Sequence, residues 1–245
     1  MKLLIILTLL VIHIKTFSQN DTTFIVKEFI NNKNVHYLNK YDFSFKNKII
    51  FEDSIYEARS SCQGEWGGTL FFKNKISHKI YFVDATCPVS INKIDNKYYI
   101  SNTLMHGLGS STILEIVNPD SLMDYQICLK DKGIKTSKLI HNMEIYSRKG
   151  SKTITESNYG EFIITSFVYS NQLYHIVSDY ETTYLANIKE KTFKKLGTVS
   201  QKSLWTYNPL VYKTKDNHLI VFFENDHAEG YIDIFENKIT VIRTK

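Results

Sequence analysis

Apolar and polar positions alternate along this chain in short runs broken by tight polar turns, and the same unit recurs. FSFKNKIIF, INKIDNKYYIS, FVYSNQLYHIV and VYKTKDNHLIVFF each read as strand, turn, strand, with turn asparagines Asn47, Asn96, Asn171 and Asn217. Asn suits such turns because it tolerates the left-handed backbone that two-residue hairpins require. Each unit continues past its hairpin. After Asn96 the pattern predicts a strand over 97–103, a Gly-rich loop at 105–110, a strand over 112–117, a turn at Asn118–Pro119 and a fourth strand through Cys128. The units at 43–85, 162–199 and 210–242 follow the same order, so each predicts four antiparallel strands. The turn asparagines are 49, 75 and 46 residues apart. The long interval holds an extra stretch, 130–159, which reads as another hairpin around Arg148–Lys149–Gly150, either a degenerate unit or an insertion. Upstream, Thr22 to Leu38 reads as a strand completing the last unit or as a short helix, because Phe24, Val26, Phe29 and Ile30 fit both periods.

Composition supports strands. The chain has 245 residues, 43% hydrophobic, 22% charged and 13% aromatic, which fits a globular protein and excludes a disordered one. Tyr, Phe, Ile and Thr are abundant and Ala is scarce, as a strand-rich fold requires. A period of about 40–50 residues with four antiparallel strands per period is that of propeller blades. Through the four units quoted above, residues 43–245 resemble β-propeller proteins in architecture. The resemblance implies an all-β fold, a small β-propeller of about five blades of four antiparallel strands. A β-sandwich is the alternative, and it accounts for short strands and turns without the four-strand period. The chain has no Trp-Asp dipeptide, kelch double-Gly pattern or Asp-box, so no propeller family is singled out and no catalytic residue is carried over.

The first 18 residues read as a secretory signal: Lys2, an apolar run from Leu3 to Ile12, then small residues Thr16 and Ser18 before Gln19. The run is shorter than the ~20 residues a membrane-spanning helix needs. Residues 19–245 then form one exported domain, periplasmic or secreted. The formal charge is +5, or +3 once Lys2 and Lys15 are removed. Lys189, Lys191, Lys194 and Lys195 read as a solvated outer strand. No basic patch interleaves with aromatics, which argues against nucleic acid. In an oxidising compartment Cys62 and Cys87, both beside turn residues, make the better disulfide, and Cys128 a buried free thiol.

Antiparallel order sends the loops between second and third strands, and the links between units, to one end. That end collects Glu65, Trp66, His106, Tyr180, Glu181, Trp205, Tyr207, Asp226 and His227, with Cys62 and Cys87. Trp and Tyr offer flat apolar area with a polar handle, so these nine residues form the candidate ligand-binding face. His106, Asp226, His227 and Glu229 carry metal-ligand groups, but not at a metal-site spacing. A solvated loop is the reading, with no metal or cofactor. His175 and the other strand histidines read as surface or satisfied core residues, the serines have no evident His partner, and there is no G-x-S-x-G elbow. The functional expectation is a non-catalytic module binding a glycan, peptide or protein at this face. The alternative is a carbohydrate-active hydrolase using a carboxylate pair from Glu65, Asp179, Glu181, Asp226 and Glu229.

Overall fold

The computed structural model describes residues 24–30, 38–40, 49–62, 67–105, 109–133, 146–157, 159–207 and 209–244, without the side chain of Cys62. They form an all-β fold, 61% strand and 6% helix. Strand β1 (Ile25–Ile30) precedes a first sheet of β2 (Ile49–Glu52), β3 (Tyr56–Cys62), β4 (Gly68–Asn74) and β5 (Ile80–Asp84). The second sheet begins with β6 (Pro88–Ile94), β7 (Lys97–Leu104) and β8 (Ser110–Ile116). A 3-10 helix (Pro119–Ser121), β9 (Met123–Asp124) and α1 (Tyr125–Asp131) follow, before β10 (Ser151–Glu156) returns to β8. The third sheet is β11 (Phe162–Tyr169), β12 (Gln172–Ser178), β13 (Thr183–Lys189) and β14 (Thr192–Ser200). The fourth is β15 (Leu210–Lys213), β16 (Leu219–Glu224), β17 (Glu229–Phe235) and β18 (Lys238–Arg243). β1 lies parallel along β18, so the upstream segment contributes a strand to the last sheet. β9 adds a short edge to the first.

Four antiparallel sheets are therefore present among the described residues, and within each the four main strands follow one another in chain order. The described end of the long interval, β10, joins the second sheet, and residues 134–145 lie outside the described residues. The strand expected through Cys128 is instead helical from Tyr125, because Asp124 caps the amides of Gln126 and Ile127 at 2.9 and 3.2 Å. Tyr125, Cys128 and Leu129 then fall on one helical face and pack on Phe71 and Phe82. The first described hairpin, β2–β3, turns at Asp53–Ile55; the turn expected at Asn47 lies outside the described residues. Asp53 supplies the turn chemistry by accepting from the Ile55 and Tyr56 amides at 2.8 and 2.7 Å. The other turns follow the pattern: Asp95, Asn96, Ser170, Asn171 and Asn217 all have positive φ.

Each sheet is buried on both faces, which explains the unbroken apolar runs in its strands. Leu70 and Phe72 face Tyr98, Ile100 and Leu114 of the second sheet, while Phe71 between them faces α1. Ile113 packs on Ile163 and Val177 of the third sheet. Ile164 and Ile176 pack on Val221 and Ile232 of the fourth. The sheets thus stack in sequence order, and β6 lies against β2, β11 and β15, the first strands of the other three.

Hydroxyls and amides lock the second sheet to the third. β11 pairs with β12 alone, leaving one edge unpaired. The Ser166 and Ile163 amides on that edge donate to Ser90 Oγ (3.1 Å) and Ser111 Oγ (2.8 Å). Asn92 Nδ2 donates to the Ser166 carbonyl (3.0 Å) and Thr103 Oγ1 to the Ile163 carbonyl (2.7 Å). Side chains thereby satisfy an edge that would otherwise template pairing with another chain. At the turn end, Asp53 joins the first two sheets, accepting from Lys93 Nζ (2.7 Å) and Tyr98 Oη (2.8 Å). Burial alone would raise the Asp53 carboxyl. The Lys93 ammonium, the Tyr56 and Ile55 amides and the Tyr98 hydroxyl together outweigh it and hold the pKa at about 2. The lysines of β14 lie on the exposed outer strand of the third sheet.

Candidate functional site

Links and second-to-third loops meet at one end through a series of hydrogen bonds. The Ala85 amide donates to the Gly68 carbonyl (3.0 Å), the Thr103 amide to Cys87 (3.2 Å) and the Gly160 amide to Gly109 (3.2 Å). Further on, the Ser203 hydroxyl donates to the Asp179 carbonyl, the Leu204 amide to Ser178 Oγ at 3.0 Å, and Asn225 Nδ2 to the Trp205 carbonyl at 2.9 Å. Each link is therefore pinned to a neighbouring loop.

The turns within this end are built from Asx geometry. Asp179 Oδ1 accepts from the Glu181 and Thr182 amides at 2.8 and 2.6 Å. Asn225 Oδ1 accepts from the His227 and Ala228 amides, both at 2.8 Å. Asp179 is committed to its turn, and Glu181, Asp226 and His227 point outward as exposed residues. Tyr180 packs edge-on to Phe162 with ring centroids 5.4 Å apart, and its ring covers Gly160 so closely that a Cβ there would lie 2.7 Å from Tyr180 Cε2. Trp205 is half-buried and meets Tyr207 edge-on at 5.2 Å. Of the nine sequence candidates, Tyr180, Glu181, Trp205, Tyr207, Asp226 and His227 sit in these connections, while Glu65, Trp66 and His106 lie outside the described residues.

Tyr159, not among the nine sequence candidates, lies in the link between β10 and β11 at this end. It is 79% exposed, compared with 60% for Tyr180 and 63% for Tyr207. Three successive connections therefore each present an exposed tyrosine. Sequence reasoning also missed a groove of about 540 Å³ on the outer face of the fourth sheet, with Tyr207 at its edge and Leu38, Leu210, Phe222, Glu224 and Tyr231 among its walls. It escaped notice because Leu38–Lys40 reaches this sheet from more than 160 residues upstream.

Tyr184 Oη donates to Glu161 Oε1 at 2.8 Å, and burial together with that carboxylate pushes the Tyr184 phenol well above its ordinary range. No group of three or more metal-ligating side chains occurs among the described residues. A Ser–His pair does occur, contrary to the sequence reading. Ser166 Oγ lies 2.6 Å from His175 Nδ1 and 2.7 Å from Ser101 Oγ. All three residues are sealed between the second and third sheets, His175 at 0% exposure, so no substrate reaches them. No protein-family model, curated protein or solved structure matches the chain, so its chemistry is read from these residues alone.

Proposed function

We propose that this chain is an exported, non-catalytic recognition module whose four sheets radiate as a small propeller, and that it binds a glycan, peptide or protein at the loop end. The meander order within each sheet, the serial stacking and the approach of β6 to the other first strands support the radial arrangement. One observation carries the functional reading: Tyr159, Tyr180 and Tyr207 are exposed in three consecutive connections, with Trp205 packed beside the last. Rigid strands that hold flat amphipathic rings in the solvent provide contact area at low entropic cost. Titration of the full mature protein with an oligosaccharide and peptide library should yield a ligand. Tyr180→Ala and Trp205→Ala should each weaken its binding by about tenfold or more, as truncated aromatic anchors do, with the thermal midpoint retained. Unchanged affinity in both variants refutes the face.

A second reading, a carbohydrate-active hydrolase, draws on Glu224 and Glu229, which lie directly opposite each other on β16 and β17. Against it, Lys40 forms an ion pair with Glu224. That ion pair engages one of the two carboxylates that the mechanism needs to act on the sugar.

Export rests on the N-terminal pattern and on cysteine placement. No helix among the described residues is long and apolar enough to cross a membrane. Cys62 pairs in register with Gly68, whose carbonyl takes the Ala85 amide two residues before Cys87. Cys128 is a buried free thiol whose pKa burial raises. Non-reducing peptide mapping of the exported protein is expected to find Gln19 at the N-terminus, a Cys62–Cys87 linked peptide, and Cys128 alkylated only after unfolding. Reducing that bond should cost about 3 kcal/mol. An alkylatable Cys62 in the native protein, or a retained leader, counts against export.

A further inference from the structure

The outer face of the fourth sheet changes from apolar to acidic along its strands. By the two-residue period, Phe222 and Glu224 share one face of β16, and Glu229 and Tyr231 share the same face of β17. The register sets Phe222 opposite Tyr231 and Glu224 opposite Glu229. The two rings lie 5.9 Å apart and are largely buried behind the groove wall, and Tyr207 is the exposed aromatic that lines it. Like charges placed directly opposite on a sheet destabilise it. Lys40 offsets Glu224, whereas Glu229 forms no ion pair among the described residues and is exposed. The groove, about 540 Å³, falls within the roughly 300–1,000 Å³ of small-ligand sites.

We infer that this groove holds one sugar ring, neutral or amino-substituted, of a glycan bound at the loop end; this rests on the recognition reading above. A sugar ring has an apolar C–H face that matches the exposed ring of Tyr207, and its hydroxyl donors match the carboxylates of Glu224 and Glu229 in the same groove. Hydrogen bonds to ionised acceptors are the stronger kind. Glu229, whose charge no ion pair among the described residues offsets, repels uronic and other acidic sugars. Tyr207 connects the groove to Trp205, so a glycan crossing the aromatic rim would reach it.

An array of neutral, amino-substituted and uronic oligosaccharides, followed by calorimetric titration of the best binder, tests this with the full mature protein. Binding is expected from the neutral or amino series, with uronic members rejected. Tyr207→Ala and Glu229→Gln should each raise Kd by about tenfold or more, leaving circular dichroism and the thermal midpoint unchanged. If Tyr180→Ala and Trp205→Ala weaken glycan binding while Tyr207→Ala and Glu229→Gln do not, the groove assignment is overturned and the loop-end reading stands. Preference for uronic sugars, or no saccharide binding, also overturns the assignment.

Discussion

Acidification from pH 6.5 towards pH 3 is expected to remove roughly 4–5 kcal/mol of stability through His175 alone. Burial is the cause: it pulls the imidazole pKa from its ordinary 6.5 to about 3, so the ring is neutral in the folded protein at every ordinary pH. Between those two values the unfolded chain binds a proton that the native state refuses. The stabilisation is therefore complete above pH 6.5 and lost as pH falls through the interval. No carboxylate pairs with the imidazole among the described residues. Nδ1 meets Ser166 Oγ, Nε2 has no partner among the described residues, and the ring packs edge-on to Phe193 at 5.5 Å. Urea denaturation across this range checks the claim. His175→Gln can retain a hydrogen bond to Ser166 without titrating, so its stability should depend on pH much less steeply. Parallel curves for the two proteins would remove His175 as the origin. A variant too unstable to compare leaves the wild-type ring to report directly, because an assigned His175 ring-proton resonance that titrates near pH 6.5 in the native state would contradict its burial.

Gly230→Ala should cost on the order of 3 kcal/mol, the upper range for forced overpacking. Gly230 sits in β17 between Phe223 and Arg243 in register. A Cβ built there would lie 2.0 Å from the Ile242 carbonyl oxygen and 2.8 Å from Arg243 Cα. Both are backbone atoms, so no side chain can rotate to relieve the clash, and β17 and β18 must separate. That separation would disturb a second joint, because Arg243 Nε donates to Glu28 Oε1 at 2.7 Å and Ser200 Oγ donates to the same oxygen at 2.7 Å, tying β18, β1 and β14 together. For a chain of this size the expected fall in melting temperature is about 6–12 °C. A loss below about 0.5 kcal/mol would mean that the strands do not approach so closely here.

The turn end was more legible in the sequence than the loop end. Asp95–Asn96 and Ser170–Asn171 carry their own conformational preference, so their hairpins were visible without any tertiary context. Apolar runs such as Leu70–Phe72 and Leu219–Phe223 marked strands correctly, since burial on both faces calls for such runs. The Tyr125–Leu129 run was misread for the same reason: a continuous apolar stretch fits a buried strand or a helix face, and the Asp124 cap decided for helix. The turn at Asp53, which the Asn pattern does not mark, rests on the same side-chain-to-amide chemistry.

Local preferences and binary patterning, written in consecutive residues, were enough to determine an all-β chain of short antiparallel strands. Only the tertiary structure decided that β10 returns to β8 across the long interval, that β1 runs parallel to β18, that Ser166 and His175 are sealed together, and that Leu38–Lys40 and the fourth sheet enclose a groove. Each of these joins residues far apart in the chain. Their pairing is set by which buried faces and unpaired edges find complements in the packed molecule, and no local window of sequence contains that information.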